Sequence, residues 1–90
     1  MDLFIGEPDY VGKGWGRLII VRFLNEIAFP MFPEEEVCWI LHDKMNKRAI
    51  RASRAAGFRC VRDALDHQTL HEVLVVNKSE VARLAHAIKD

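Results

Sequence analysis

Apolar residues along this chain change their spacing several times, and each change predicts an element. Leu3 to Ile5 is a short apolar run closed by Gly6, which reads as a strand. Pro8, Asp9 and Gly12 mark a turn. From Arg17 the spacing becomes helical: Ile20, Leu24 and Ile27 recur on one face, with Val21 and Phe23 beside them. Pro30 and Pro33 are expected to end that helix, because proline lacks the N–H that the helical ladder needs. Val37 to Leu41, VCWIL, is a continuous apolar run of strand length, as expected of a strand buried on both faces.

The second half continues in the same way. Asn46 is a good helix cap for the Ala- and Arg-rich segment KRAIRASRAAG. Gly57 stands where a left-handed terminating glycine is expected. Phe58 to Leu65 and Glu72 to Val76 read as strands, joined through the ALDHQTLH segment. Ser79 is expected to cap a last helix with Val81, Leu84, Ala85 and Ile88 on one face. The predicted order is strand, helix, strand, helix, strand, strand, helix. It implies an α/β fold with a mixed sheet and some parallel pairing.

Composition narrows the function classes. Ninety residues, half of them apolar, make one small domain. Lys plus Arg balances Asp plus Glu at 13 each, so no net field draws the chain to nucleic acid or lipid. The acidic run Glu34 to Glu36 also argues against reading RAIRASRAAGF as a DNA-binding helix pair. No apolar run approaches the ~18 residues of a membrane span. MDLFIG carries an acid and no basic segment, unlike a secretory leader. Cys38 and Cys60 lack metal-ligand spacing and read as free thiols in apolar stretches, which points to a reducing, cytoplasmic setting. Asp66, His67 and His71 read as a polar connection rather than a metal centre.

One stretch carries candidate chemistry. EPDYVGKGWG places Gly12, Gly14 and Gly16 at alternate positions, with Lys13 between the first two. A nucleotide-triphosphate loop needs four residues between its glycines and a hydroxyl after the lysine. Gly6 and Gly12 enclose five, and Gly14 stands in the hydroxyl's place. What remains is a strand, a glycine turn and a helix N-terminus. Bare backbone approaches a ligand closely there, and the unpaired amides of Lys13 to Arg17 suit a pyrophosphate. The same residues equally describe a tight turn without a ligand.

PDYVGKGWG resembles motif A of the GNAT acetyltransferases, and NKRAIRASRAAGF, about thirty residues later, resembles their motif B. MDLFIGEP together with RAIRASRAAGFR is most similar to the aminoglycoside 6'-N-acetyltransferases and the related siderophore N-acyltransferases. The resemblance runs from Met1 to about Val76 and covers the second half of such a domain. The family's first three strands and first two helices have no counterpart in these residues. It implies acetyl-CoA as cofactor and direct acetyl transfer to a primary amine, aminoglycoside-like or siderophore-like.

It also implies site residues. Ile5, Val11, Gly12, Lys13, Gly14, Trp15, Gly16 and Arg17 would line the pyrophosphate and pantetheine. Val11 replaces the usual Arg or Gln. Asp2 matches the carboxylate that takes the amine proton, although an N-terminal acid can also be simply solvated. Asn46 matches a cofactor-contacting asparagine and equally a plain cap. Ala49 and Ile50 match small and apolar positions beneath the cofactor. Ser53 stands where many members carry a tyrosine that protonates the leaving thiolate, and His42 where this subgroup often has proline. Lys44, Lys47, Arg48, Arg51 and Arg54 would meet the 3'-phosphate or form a solvated helix face. Half a sheet leaves an open edge and an uncovered apolar face. The expected partner is therefore a second copy, in a homodimer or intertwined oligomer that completes the sheet. The rival expectation is a non-catalytic CoA-binding or oligomerisation module.

Overall fold

The computed structural model describes residues 3–5 and 16–87; for Leu3–Ile5 and Asp66 it describes the backbone. Four strands form one mixed sheet in the order β1-β2-β4-β3: β1 (Leu3–Ile5), β2 (Val37–Asp43), β3 (Arg59–Asp66) and β4 (Thr69–Asn77). β1 runs parallel to β2, with Leu3, Phe4 and Ile5 opposite Cys38, Trp39 and Ile40. β4 runs antiparallel to both β2 and β3. The predicted α/β class, element order and parallel pair are all present.

The first helix is less regular than its sequence suggests, and it ends at Met31, between the two prolines expected to stop it. It consists of α1 (Arg17–Phe23), a π-helical turn (Leu24–Ala28) and α2 (Phe29–Met31) in unbroken succession. Pro30 does not end it. Pro30 sits in the first turn of α2, where a missing N–H costs little. The preceding π turn, in which the Phe29 N–H donates to the Leu24 carbonyl, resets the ladder ahead of it. That turn also shifts the buried stripe by one residue. Ile20, Val21, Leu24, Ala28 and Phe29 face the core, and Ile27, expected inside, is 49% exposed.

Helix α3 (Lys47–Ala55) is fixed at both ends by local chemistry. The Asn46 side chain accepts the Ala49 N–H at 3.2 Å. At the other end the Gly57 N–H donates to the Arg54 carbonyl and the Phe58 N–H to that of Ser53, a complete Schellman pair. Gly57 has a φ of +102°, and a Cβ there would lie 2.8 Å from Leu84 Cδ1. Helix α4 (Lys78–Ala87) begins one residue before the predicted cap, so Ser79 lies inside its first turn. The Glu36 carbonyl accepts the Lys78 N–H at 2.8 Å instead. Ile88 lies outside the described residues.

The segment expected to be a broad β3–β4 connection is mostly strand. Pairing continues to Asp66 opposite Thr69, leaving a two-residue turn. His67 and Gln68 both adopt positive φ, 51° and 66°, as a two-residue primed hairpin turn requires.

All the helices share one face of the sheet. Ile20, Leu24, Phe29, Ala49 and Val81 pack in one cluster with Cys38, Ile40, Leu74 and Val76. By strand alternation Trp39, Leu41, Val73 and Val75 point to the other face. Val73 and Val75 are buried yet stand outside that cluster. The sheet is therefore apolar on both faces, with the described helices on one.

Candidate functional site

Helix α3 begins directly where β2 ends, and α1 follows the neighbouring parallel strand β1 in the chain. In open α/β sheets such strand ends form the crevice where ligands sit. The turn out of β2 is tight. Asp43 Oδ1 accepts the Met45 N–H at 2.8 Å, the Asp43 carbonyl accepts the Asn46 N–H at 2.9 Å, and Asn46 starts α3.

The charge at these helix starts is unusual. Acids normally settle in a helix's first turn, against the positive end of its dipole. α1 has none there and opens on exposed Arg17; α3 has none and opens on exposed Lys47 and Arg48. α4, away from these strand ends, follows the rule with Glu80. Two N-termini with added cations make a donor set that fits an anion. Gly16 caps α1 in extended conformation (φ −86°, ψ −179°) without a side-chain bond, and nothing lies within 4 Å of where its Cβ would be. Among the described residues neither strain nor packing calls for that glycine.

The residues expected to touch a cofactor are placed as follows. Ile5 pairs with Ile40 through the sheet backbone. Gly16 and Arg17 start α1, and Asn46 caps α3. Ala49 and Ser53 face inward from α3, both with no exposed surface. Asp2, Val11, Gly12, Lys13, Gly14 and Trp15 lie outside the described residues.

The fold also builds a contact that sequence reasoning did not anticipate. His42 Nε2 and Ser53 Oγ lie 2.8 Å apart, and both residues are fully buried. The two residues stand 11 apart in the chain, and the fold makes them partners. Beside them the expected basic cluster divides. Lys44 pairs with Asp63 at 3.0 Å and Arg54 with Glu72 at 3.2 Å, while Lys47, Arg48 and Arg51 remain exposed on α3. The hydrogen bond that the Lys44 ammonium donates to Asp63 raises its pKa above the usual range.

The thiols and imidazoles show no metal chemistry. Among the described residues no group of three His, Cys, Asp or Glu is placed to hold an ion. Burial pushes the Cys38 thiol up to about 12. The Cys60 thiol is also raised, first by burial and then by its hydrogen bond with Glu72. The His71 Nδ1 lies 2.9 Å from the Thr69 carbonyl, which can only accept, so His71 carries its proton there.

No family model matches the chain. Among solved structures it is similar to the aminoglycoside N(6')acetyltransferase from Legionella pneumophila subsp. pneumophila str. Philadelphia 1, with a TM-score of 0.66 and 16% identity. The chain shares the fold of part of that acetyltransferase. The match covers 80% of this chain and 43% of that one, so the chain spans less than half of its structural neighbour. At this identity the likeness speaks for the fold. Among the described residues no helix is long and apolar enough to cross a membrane.

Proposed function

We propose that the chain binds acetyl-CoA and serves acetyl transfer to a primary amine. The observation carrying this reading is the pair of acid-free, cation-bearing first turns in α1 and α3, the helices that follow parallel β1 and β2 in the chain, in half a GNAT-type fold. The sequence joining β1 to α1 is the PDYVGKGWG motif. In this reading its amides, with Gly16 and Arg17, hold the pyrophosphate, and Asn46 with Ala49 supports the pantetheine arm. Acetyl-CoA supplies an activated thioester when bound. Asp2 takes the proton that an attacking ammonium must lose. Ser53 does not take the family tyrosine's part, because its hydroxyl is committed to His42 inside the core. The acceptor is an aminoglycoside-like or siderophore-like amine, in a cytoplasmic setting that keeps Cys38 and Cys60 reduced.

Calorimetric titration with acetyl-CoA tests the cofactor claim, and mass detection of an acetylated kanamycin-like amine tests transfer. Saturable binding is expected; no heat at about millimolar ligand sinks the reading.

A second reading separates binding from catalysis. The sheet is apolar on the face opposite the helices, and β1 is the end strand of the described order. A half-fold of this kind suits a module that binds coenzyme A or assembles without turning over. A second copy pairing along β1 would complete the sheet. Binding without acetylation, in a preparation of defined oligomeric state, selects this reading.

A further inference from the structure

The first helix is apolar on two sides. Its inner stripe is the core face already described. Its outer stripe is Ile19, Phe23, Ile27 and Met31, each four residues from the last. Ile19 is 43% exposed, Ile27 49% and Met31 68%. Ile19, Phe23 and Ile27 line a groove of about 360 Å³, bordered by Arg22 and Glu26. A helix apolar all round is ordinarily covered on all sides. In a regular α-helix a stripe at four-residue spacing drifts about 40° per step around the axis. The π turn at Leu24–Ala28 winds less per residue, which pulls Ile27 back into line with Ile19 and Phe23.

The geometry points to a second copy of this chain on that stripe, antiparallel across a twofold axis level with Leu24. The axis lies in the plane between the helices, so each flank of one stripe meets the same flank of the other. Arg22 then lies level with the partner's Glu26, and Glu26 with the partner's Arg22. The apolar residues interleave as well. Successive levels are the partner's Met31, Ile19, the partner's Ile27, Phe23, the partner's Phe23, Ile27, the partner's Ile19 and Met31. These levels are two residues apart, about 3 Å on a helix. Self-complementarity of this kind defines an isologous contact. Few other registers satisfy both the charges and the interleaving: moving the axis by two residues sets like charge beside like charge. One helix pair buries less than the ~1,200 Å² of the smaller stable interfaces, so the dimer is a weak, micromolar one. This surface is separate from the β1 edge and independent of acetyl-CoA.

Sedimentation velocity up to about 200 µM tests it, with circular dichroism of each variant. The wild type is expected to dimerise. Arg22→Glu sets carboxylate against carboxylate at both facing pairs, and Glu26→Arg sets cation against cation; each weakens self-association about tenfold. Mixing the two variants restores a dimer, because every facing pair is then opposite in sign. The double variant R22E/E26R also restores it. Recovery on mixing shows that both variants fold. A wild type that stays monomeric overturns the proposal. So do single variants that self-associate as the wild type does, or a mixture that stays monomeric while both variants keep native dichroism. In the second case the copy docks elsewhere.

Discussion

His42 and Ser53 share a 2.8 Å hydrogen bond inside the protein, one from the end of β2 and the other from the second turn of α3. Neither has any surface exposed to solvent. They bind α3 to β2 at the end of the sheet where the candidate site lies.

Ser53→Ala removes the hydroxyl and leaves the imidazole Nε2 without that partner. A buried polar group stripped of its partner costs about 1–3 kcal/mol. Urea denaturation is expected to show a loss in that range. Ser53→Tyr, which restores the family residue, is expected to lose at least as much, because it overpacks a closed site. A Ser53→Ala variant as stable as the wild type would remove the bond's structural role.

Gly57→Ala tests the end of α3. A φ of +102° is strained for any residue with a Cβ, and the new atom lies 2.8 Å from Leu84 Cδ1. The leucine methyl ends a flexible side chain and can retreat, so backbone strain dominates. The expected loss is about 1–3 kcal/mol in equilibrium unfolding. Gly16→Ala provides the contrast. Its φ is ordinary and its surroundings are open, so stability should change little, whereas acetyl-CoA affinity should fall if backbone approach matters there.

Cys38 supplies a pH prediction. Its thiol is raised from 9.0 to about 12 by burial. The folded protein keeps this proton while the unfolded chain loses it near 9, so folding stability falls as pH rises between about 9 and about 12. Below pH 9 the contribution is present in full. Unfolding measured across that range should show a steeper decline for the wild type than for Cys38→Ala. Thiol-specific labelling at neutral pH should modify Cys60, which is partly exposed, and reach Cys38 after unfolding.

Features set within a few residues of sequence were legible in the chain. Asn46 and Gly57 delimit α3 because capping is local chemistry, and both perform the roles their residue types predict. The alternation of strand and helix implied some parallel pairing, and β1 with β2 supplies it. Features made by distant or subtle geometry were not. Pro30 reads as a helix stop, and only the π turn ahead of it lets the helix continue to Met31. His67 and Gln68 lack the glycine or asparagine that signals a two-residue hairpin, so the turn was hidden inside a polar stretch. His42 and Ser53 stand 11 residues apart and meet because α3 folds back over β2. The glycine run was legible as a candidate motif, but the acid-free first turns needed the boundaries of α1 and α3.

Arg17→Glu separates ligand binding from helix stability by the sign of its effects. An acid at the start of α1 interacts favourably with the helix dipole, worth about 0.3–1 kcal/mol at an exposed site. If Arg17 has no function, Arg17→Glu should be neutral or slightly stabilising in thermal unfolding. If Arg17 helps α1 hold a pyrophosphate, the same change reverses a charge beside the ligand and weakens acetyl-CoA binding, by about tenfold for one exposed contact. Asn46→Asp is the matching change on α3. Aspartate caps as well as asparagine, so stability should hold while the added negative charge lowers affinity for the same anion. Affinity that falls while stability holds or rises in both variants would place the ligand between the two helix starts. Affinity unchanged in both would leave the acid-free first turns of α1 and α3 without a ligand to explain them.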